Sequence, residues 1–193
     1  MIDKYPVSDK MIKNDWEEKN MEHRQVLLIG FGSMEEKLRE LIEPLNLEVL
    51  SFGPSRLTET VGTLCMQREQ DPREEAMERG LIMFHNIKRD DLDPVLKVLR
   101  QAGIPKQPLK AMVTPTNWHW KLKNLMEELQ QEQEIMAEIM KLKKLRDSMP
   151  MPAFTDIPAM KARMAAEVQL SGGEQVTVET VRAAYRELQK FAK

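Results

Sequence analysis

The stretch QVLLIGFGSMEEKLRELIEPLNLEVLSFG, residues 25–53, contains one complete β-α-β unit. It opens with a continuous apolar run that ends in glycines, which is typical of a strand buried on both faces. Leucine and isoleucine then recur at helical spacing between residues 38 and 45, and the apolar segment 47–52 predicts a second strand. This stretch therefore predicts an α/β fold.

The order of elements repeats further along the chain. Residues 80–86, GLIMFHN, predict a third strand, and residues 88–103 predict a helix that ends at Gly103. Residues 109–114, LKAMVT, predict a fourth strand, which a long helix follows from Trp118 to about Met149. The resulting order is β-α-β-(α)-β-α-β-α, with a weak internal repeat between its two β-α-β units.

Two four-stranded sheets with packed helices fit this order. An open, parallel, Rossmann-like sheet would use right-handed crossovers throughout. A split β-α-β-β-α-β sheet, ferredoxin-like, would make the second and third strands antiparallel neighbours. It would also carry residues 54–79 as a long flap, and insertions of that length are uncommon in compact domains. We therefore expect the parallel sheet and keep the split sheet as the alternative.

The chain divides by composition into three parts. Residues 1–24 predict a polar leader, residues 25–132 an α/β domain, and residues 133–193 a helical C-terminal extension. The extension contains a proline-rich joint after Met149 and two further amphipathic segments. On one of them, Met160, Met164 and Val168 fall on one side of the predicted helix.

Charge and cysteine content exclude several classes of protein. A net charge of −2 over 193 residues argues against a dedicated nucleic-acid-binding protein, which presents a strongly basic surface. The single cysteine, Cys65, excludes an internal disulfide and a cysteine-rich zinc site. The longest apolar run is far shorter than the roughly 18–20 residues that span a bilayer. We expect a cytoplasmic protein without a membrane segment.

Polar and titratable residues follow each predicted strand. In a parallel sheet the carboxyl ends of the strands share one edge, where open α/β folds bind ligands. The candidates for a small-ligand site at that edge are Gly32, Ser33, His85, Asn86, Thr114, Thr116 and Asn117. His85 is the only acid–base candidate among them, so an enzyme that acts on a small anionic metabolite would depend on it.

Known cofactor and metal motifs are missing from the sequence. The GFGS segment has Glu35 where a dinucleotide fingerprint has its third glycine, and no phosphate-binding P-loop occurs. His85 and His119 lack the i, i+4 spacing of helical metal ligands. We therefore predict no cofactor and no metal.

The segment KAMVTPTNWHWKL, residues 110–122, has a structural interpretation as well. Pro115 favours an extended Thr114 at a strand end, and Thr116 or Asn117 can cap the helix that follows. Trp118 and Trp120 would then point to different sides, so at most one of them can be fully buried as an aromatic plug. We interpret the segment first as a strand-to-helix junction and second as a binding site.

The second half of the long helix carries an apolar stripe that must pack against something. Its members are Ile135, Met136, Ile139 and Met140. The protein's own tail helices, a second copy of the chain or a different protein could cover them. We therefore favour a non-enzymatic protein-interaction or regulatory module, and keep the enzyme as the alternative.

Several segments also resemble a known family. VLLIGF, VGTL, LIMF followed by LDPVL, LKAMVTPTNWHW and EELQQE look like a bacterial family described only as a domain of unknown function, marked by an LKAxxTPTNxxW segment. The resemblance covers roughly residues 25–132. It implies that the T-P-T-N turn belongs to the core of the family, and it implies no activity.

Overall fold

The computed structural model describes residues 24–71, 74–104, 107–172 and 176–192. Residues 1–23, nearly all of the predicted leader, lie outside the described residues. The described chain forms two compact units, one ending at Leu129 and the other beginning at Gln130. We call them the α/β unit and the helical unit. Within the described ranges, no helix has the length and apolar composition to cross a membrane.

The α/β unit contains four strands and the helices between them. The strands are β1 (Gln25–Ile29), β2 (Glu48–Phe52), β3 (Leu81–His85) and β4 (Leu109–Met112). The helices are α1 (Glu35–Ile42), α2 (Val61–Cys65), α3 (Arg89–Gln101) and the start of α4 (Leu122–Ser148). Short 3-10 turns occupy Gly32–Met34, Glu43–Leu45 and Pro54–Thr58.

The four strands form one mixed sheet in the order β2-β1-β3-β4. β1 is parallel to β2, and β3 is parallel to β4, as β-α-β crossovers require. β1 and β3 are antiparallel, with Gln25 opposite His85 and Ile29 opposite Leu81. The predicted α/β class and four-stranded sheet are confirmed. The preferred parallel arrangement is wrong, and so is the split alternative, because β2 and β3 are not neighbours.

The sheet consists of two equivalent halves placed side by side. Each half is a parallel β-α-β unit, and the two halves meet at the antiparallel β1–β3 pair, in which Leu27 lies opposite Met83. A two-fold rotation about an axis that passes through this pair, perpendicular to the sheet, places one β-α-β unit on the other. Both crossover helices therefore lie on the same face of the sheet. In agreement with this, α1 and α3 contact each other. The two halves are the units that the weak internal repeat identified.

The sheet is covered on both faces, so its strands are apolar on both sides. Alternate residues such as Val26 and Leu28 face α1 and α3. Their neighbours Leu27 and Ile29 face α2 and the beginning of α4. Each face therefore has its own hydrophobic layer, as the continuous apolar run in β1 predicted.

The helical unit contains the remainder of α4 together with α5 (Ile157–Leu170) and α6 (Val178–Gln189). Asp156 caps α5, and Thr177 and Thr180 form a reciprocal capping box at the start of α6. The core of this unit is small, and it consists of Leu142, Ala162, Ala166, Val181, Ala184 and Leu188.

Candidate functional site

The antiparallel β1–β3 pair divides the predicted ligand site into two groups. Gly32 and Ser33 follow the carboxyl end of β1, whereas His85 lies opposite Gln25, at the amino end of β1. The five residues of β1 separate these ends by about 13 Å, at about 3.3 Å per residue. The remaining candidates, Asn86, Thr114, Thr116 and Asn117, follow β3 and β4 and lie at the His85 end. No common crevice for all seven residues exists in this sheet.

Residues 76–77 of the same chain cover the glycine-rich turn after β1. The Met77 amide donates a hydrogen bond to the Gly30 carbonyl at 2.9 Å. A Cβ atom on Gly32 would lie 2.9 Å from the Ala76 backbone nitrogen, and Gly32 has a φ of +52°. These glycines therefore allow a close approach of residues 76–77. Ser33 is exposed in its 3-10 turn, and Met34 occupies the position before α1.

The end of β2 is closed by charged side chains. Ser55 donates hydrogen bonds from its backbone and hydroxyl to Glu74, the backbone bond measuring 3.2 Å. Arg56 donates two hydrogen bonds to the Asp71 carboxylate, at 2.9 and 2.6 Å. The Arg56 guanidinium holds the pKa of Asp71 below its usual range. The polar side chains that follow β2 thus find their hydrogen-bond partners within the segment between β2 and β3.

Both edge strands of the sheet are protected. On β2, the Val49 carbonyl accepts from Arg39, and the Ser51 carbonyl accepts from the Asp71 amide at 3.1 Å. An open groove of about 460 Å³ runs beside this edge, with a mixed lining that includes Arg39 and Arg68 as well as glutamates. β4 is short and carries Lys110, whose pKa is lowered by burial and by nearby arginines. Charged edges of this kind discourage pairing with a further strand.

The T-P-T-N turn is held together by hydrogen bonds of its own residues. Asn117 Oδ1 accepts from the Thr114 amide at 2.9 Å, and Asn117 Nδ2 donates to the Met112 carbonyl at 2.9 Å. Thr114 Oγ1 accepts from the Asn117 amide at 3.3 Å. Asn117 therefore closes the turn after β4. The expectation that Thr116 or Asn117 caps the long helix is wrong, because α4 begins only at Leu122.

Trp118 packs against α2 and connects this turn to it. Its indole packs against Gly62, where a Cβ atom would lie 2.5 Å from the ring. The Gly62 amide also donates to the Trp118 carbonyl at 2.8 Å, and the Val61 amide donates to the Trp120 carbonyl at 2.9 Å. Trp118 is buried and Trp120 is partly exposed, which agrees with the interpretation of one tryptophan as a plug.

His85 is held in a buried chain of polar side chains. Its Nδ1 lies 3.0 Å from Gln25 Oε1, and Gln25 Nε2 donates to Glu48 Oε2 at 2.9 Å. Because the Gln25 amide nitrogen is directed to Glu48, its oxygen faces the ring, and His85 Nδ1 must carry the proton. The ring also lies 5.7 Å from Trp118, measured between centroids, and His85 is only 2% exposed.

The other reactive side chains are dispersed. Among the described residues, no three His, Cys, Asp or Glu side chains are close enough to hold a metal ion together. His119 is exposed while His85 is buried, so the two histidines occupy different environments. Cys65 is buried, and burial raises the pKa of its thiol to about 12.

The predicted partner-binding residues occupy different surfaces of α4. Met136 and Met140 are exposed by 55% and 59%. Ile139 packs against the core of the helical unit, and Ile135 is intermediate in exposure. Of the four predicted residues, the two methionines therefore form the large apolar part of the outward surface of α4.

The sequence interpretation missed the two most exposed large apolar residues in the described part of the chain. Phe154 is 93% exposed and Met151 73% exposed, and both lie in the joint before α5. On α5 the buried residues are alanines, whereas Ile157, Met164 and Val168 point outward. The sequence did contain a signal for this arrangement. Alanines recur at helical spacing on one side of the segment, and large apolar residues recur on the opposite side.

Comparison with known proteins finds one partial match. Residues 81–136 match a family model described as Domain of unknown function (DUF3783). This region begins with β3 and ends within α4, so it contains the second half of the sheet and the T-P-T-N turn. No curated protein and no solved structure matches the chain. The exposed joint and α5 lie outside the matched region.

Proposed function

We propose that this protein is a non-enzymatic protein-binding module whose binding surface lies on the helical unit. One observation carries the proposal. Ten large apolar side chains are exposed among the described residues, and seven of them belong to the helical unit. They are Met136, Met140, Met151, Phe154, Ile157, Met164 and Val168. The α/β unit, although longer, exposes only Met66, Met112 and Trp120 among its described residues.

The chemistry of these side chains suits binding to another protein. Complete burial of a Val, Ile, Met or Phe side chain contributes about 1.5–3 kcal/mol, so an apolar surface of this kind favours association. Four of the seven residues are methionines, whose flexible thioethers adapt to the shape of a partner. An aromatic side chain as exposed as Phe154 is also a good anchor for a partner's pocket.

The alternative function, an enzyme that acts on a small anionic metabolite, has less support. His85, its acid–base candidate, is buried between Gln25 and Trp118. Asn117, another polar residue of that predicted site, uses its side chain to close a turn. A substrate would need both groups to be accessible. In our proposal the α/β unit is a scaffold, and the protein works in the cytoplasm, in keeping with its single free thiol.

Photo-crosslinking in the cells that naturally contain the protein tests this proposal. A photoreactive amino acid replaces Met136 or Phe154 in the full chain, and a matched probe replaces Lys97, an exposed residue of α3. We expect discrete protein adducts from the first two positions and none from Lys97. If neither apolar position gives an adduct while the chain remains folded, the helical unit is not a binding surface.

A further inference from the structure

The two halves of the sheet correspond residue by residue. Leu27 and Met83 lie opposite each other at the centre of the β1–β3 pair, where the two-fold axis passes. The same separation in sequence relates Gly30 to Asn86, the first residues after β1 and β3. Both have left-handed backbones, with φ values of +71° and +52°. Each residue of the β1 half therefore has a counterpart at a known position of the β3 half.

The correspondence continues beyond the sheet. Glu48 is the first residue of β2 and Leu109 the first of β4, and their separation in sequence also relates Thr60 to Lys121. Thr60 and Lys121 form an antiparallel bridge. Two reciprocal hydrogen bonds of 2.9 Å flank it, from the Val61 amide to the Trp120 carbonyl and from the Leu122 amide to the Glu59 carbonyl. Because counterparts pair with each other in this bridge, the same two-fold axis passes through it.

In the first half, a segment shortly before β3 covers the carboxyl ends of β1 and β2. The Met77 amide donates to the Gly30 carbonyl at 2.9 Å, and the Met77 side chain packs against the hydrophobic layer beside α2. The Glu74 side chain lies against Gly53. Both glycines are buried. We call residues 74–77 the cover of the first half.

The segment before β1 repeats the sequence around this cover. Residues 71–80 read DPREEAMERG, and their counterparts, residues 15–24, read DWEEKNMEHR. An aspartate, a glutamate, a methionine and a second glutamate recur at the same positions of the two segments. The β1–β3 pairing fixes this alignment, so the match does not depend on a chosen shift of one sequence against the other. Met21, in the leader, is therefore the counterpart of Met77.

The chain connects Met21 to the corresponding edge of the second half. Arg24 precedes β1 directly, at the end of the sheet where β3 and β4 finish. Met21 is three residues earlier, which is at most about 11 Å of extended chain. At this edge Asn86 is exposed, whereas its counterpart Gly30 is buried. Asn86 is therefore accessible to a segment that the leader can place there.

A difference between the halves limits how closely a second cover can approach. Asn86 stands where the first half has Gly30, and a Cβ atom on Gly30 would lie 2.4 Å from Met77 Cγ. The Met21 side chain must therefore lie further from the strand ends than that of Met77. Thr114 likewise replaces a glycine, which leaves no room for the glutamate of the cover. The backbone contact is unaffected, because Asn86 has the same left-handed conformation as Gly30.

We propose that residues 20–22 of this chain dock on the turn after β3, with the Met21 amide donating to the Asn86 carbonyl and the Met21 side chain over the ends of β3 and β4. This inference goes beyond the proposed function, because it concerns the α/β unit. The edge that carries the predicted ligand residues Asn86, Thr116 and Asn117 is then occupied by the protein's own leader. A small ligand or a partner would have to displace the leader to reach it.

Disulfide trapping in the full chain tests this contact. Met21→Cys is combined with Asn86→Cys. A Cβ atom on Gly30 would lie 2.9 Å from Met77 Cβ, and a small outward shift brings such a pair to the roughly 3.8 Å of a disulfide. The control combines Glu22→Cys with Asn86→Cys, because Glu22 has the shorter tether to β1 but points to the opposite side of an extended segment. We expect the first pair to link within one chain at least about tenfold faster than the control. The natural thiol is buried and should not compete.

Trypsin cleavage of the leader is a second test, and it leaves Asn86 unchanged. Met21→Asp places a charge against apolar strand ends and should release the leader. Cleavage after Lys19 should then accelerate by about tenfold or more, because proteolysis follows the population of the open form. Each rate is normalised to that of the unfolded variant. The control is Met11→Asp, which adds the same charge outside the repeated segment and should leave the cleavage rate unchanged.

Any one of three results would overturn the inference: linkage through residue 22 as fast as through residue 21, an unchanged cleavage rate in Met21→Asp, or a disulfide that joins two chains. The last result would show that the leader of a second copy occupies the edge. Circular dichroism of each variant confirms folding, so that none of these results reflects an unfolded chain.

Discussion

The replacement Asn117→Ala tests whether the T-P-T-N turn is structural. It removes two hydrogen bonds, from the Thr114 amide to Oδ1 and from Nδ2 to the Met112 carbonyl, both 2.9 Å long. A hydrogen bond contributes about 0.5–1.5 kcal/mol net, so the free energy of unfolding should fall by about 1–3 kcal/mol. Urea unfolding at 25 °C measures this loss, followed by the fluorescence of Trp118, which is buried beside the turn.

Two further variants make the interpretation specific. Asn117→Asp keeps the Oδ1 acceptor but replaces the Nδ2 donor with an oxygen that faces the Met112 carbonyl, so it should also destabilise the turn. Thr116→Ala alters an exposed neighbour and should change stability by less than about 0.5 kcal/mol. If Asn117→Ala is as harmless as Thr116→Ala, the turn does not depend on this side chain, and Asn117 becomes available as a ligand-binding residue.

Three other predictions concern packing, reactivity and pH. Gly62→Ala should lower stability by about 1–3 kcal/mol, measured by urea unfolding, because its methyl group collides with the Trp118 ring. The Cys65 thiol, buried and with its pKa raised to about 12, should react with a disulfide reagent at pH 8 at least about 100-fold more slowly in the native than in the unfolded chain. Asp71→Asn should lower the urea midpoint at pH 7, because it removes a charge bound by Arg56. The pKa of Asp71 is depressed in the folded state, so this stabilisation exists above the unfolded pKa of about 3.9 and disappears as the pH falls through the folded value. The gap between variant and wild type should therefore close in acid.

The sequence was sufficient to predict the elements of the α/β unit but not their arrangement. The apolar run that begins at Val26 and the helical spacing from Leu38 predicted β1 and α1 because local periodicity encodes secondary structure directly. The direction of β3 relative to β1 depends on the path of the chain between β2 and β3, which local periodicity does not encode. Strands that are apolar on both faces carry no alternation that would reveal their partner or register.

The same uncertainty about strand direction affected the prediction of the candidate site. His85 and Ser33 appeared to share an edge only because the parallel sheet was assumed. Asn117 was correctly assigned to a junction, but a capping side chain can close a turn as well as a helix, and its local sequence does not distinguish the two. On α5, Met164 was correctly placed on an apolar side, but the sequence does not state whether that side faces the core.

The most direct measurement of the central claim compares the two surfaces in one crosslinking experiment. One chain carries the photoreactive probe at Met136, on the helical unit, and the other at Thr116, an exposed residue of the predicted strand-end site. We predict protein adducts from Met136 and none from Thr116. Adducts from Thr116 with none from Met136 would contradict the account, because partner binding would then occur on the α/β unit.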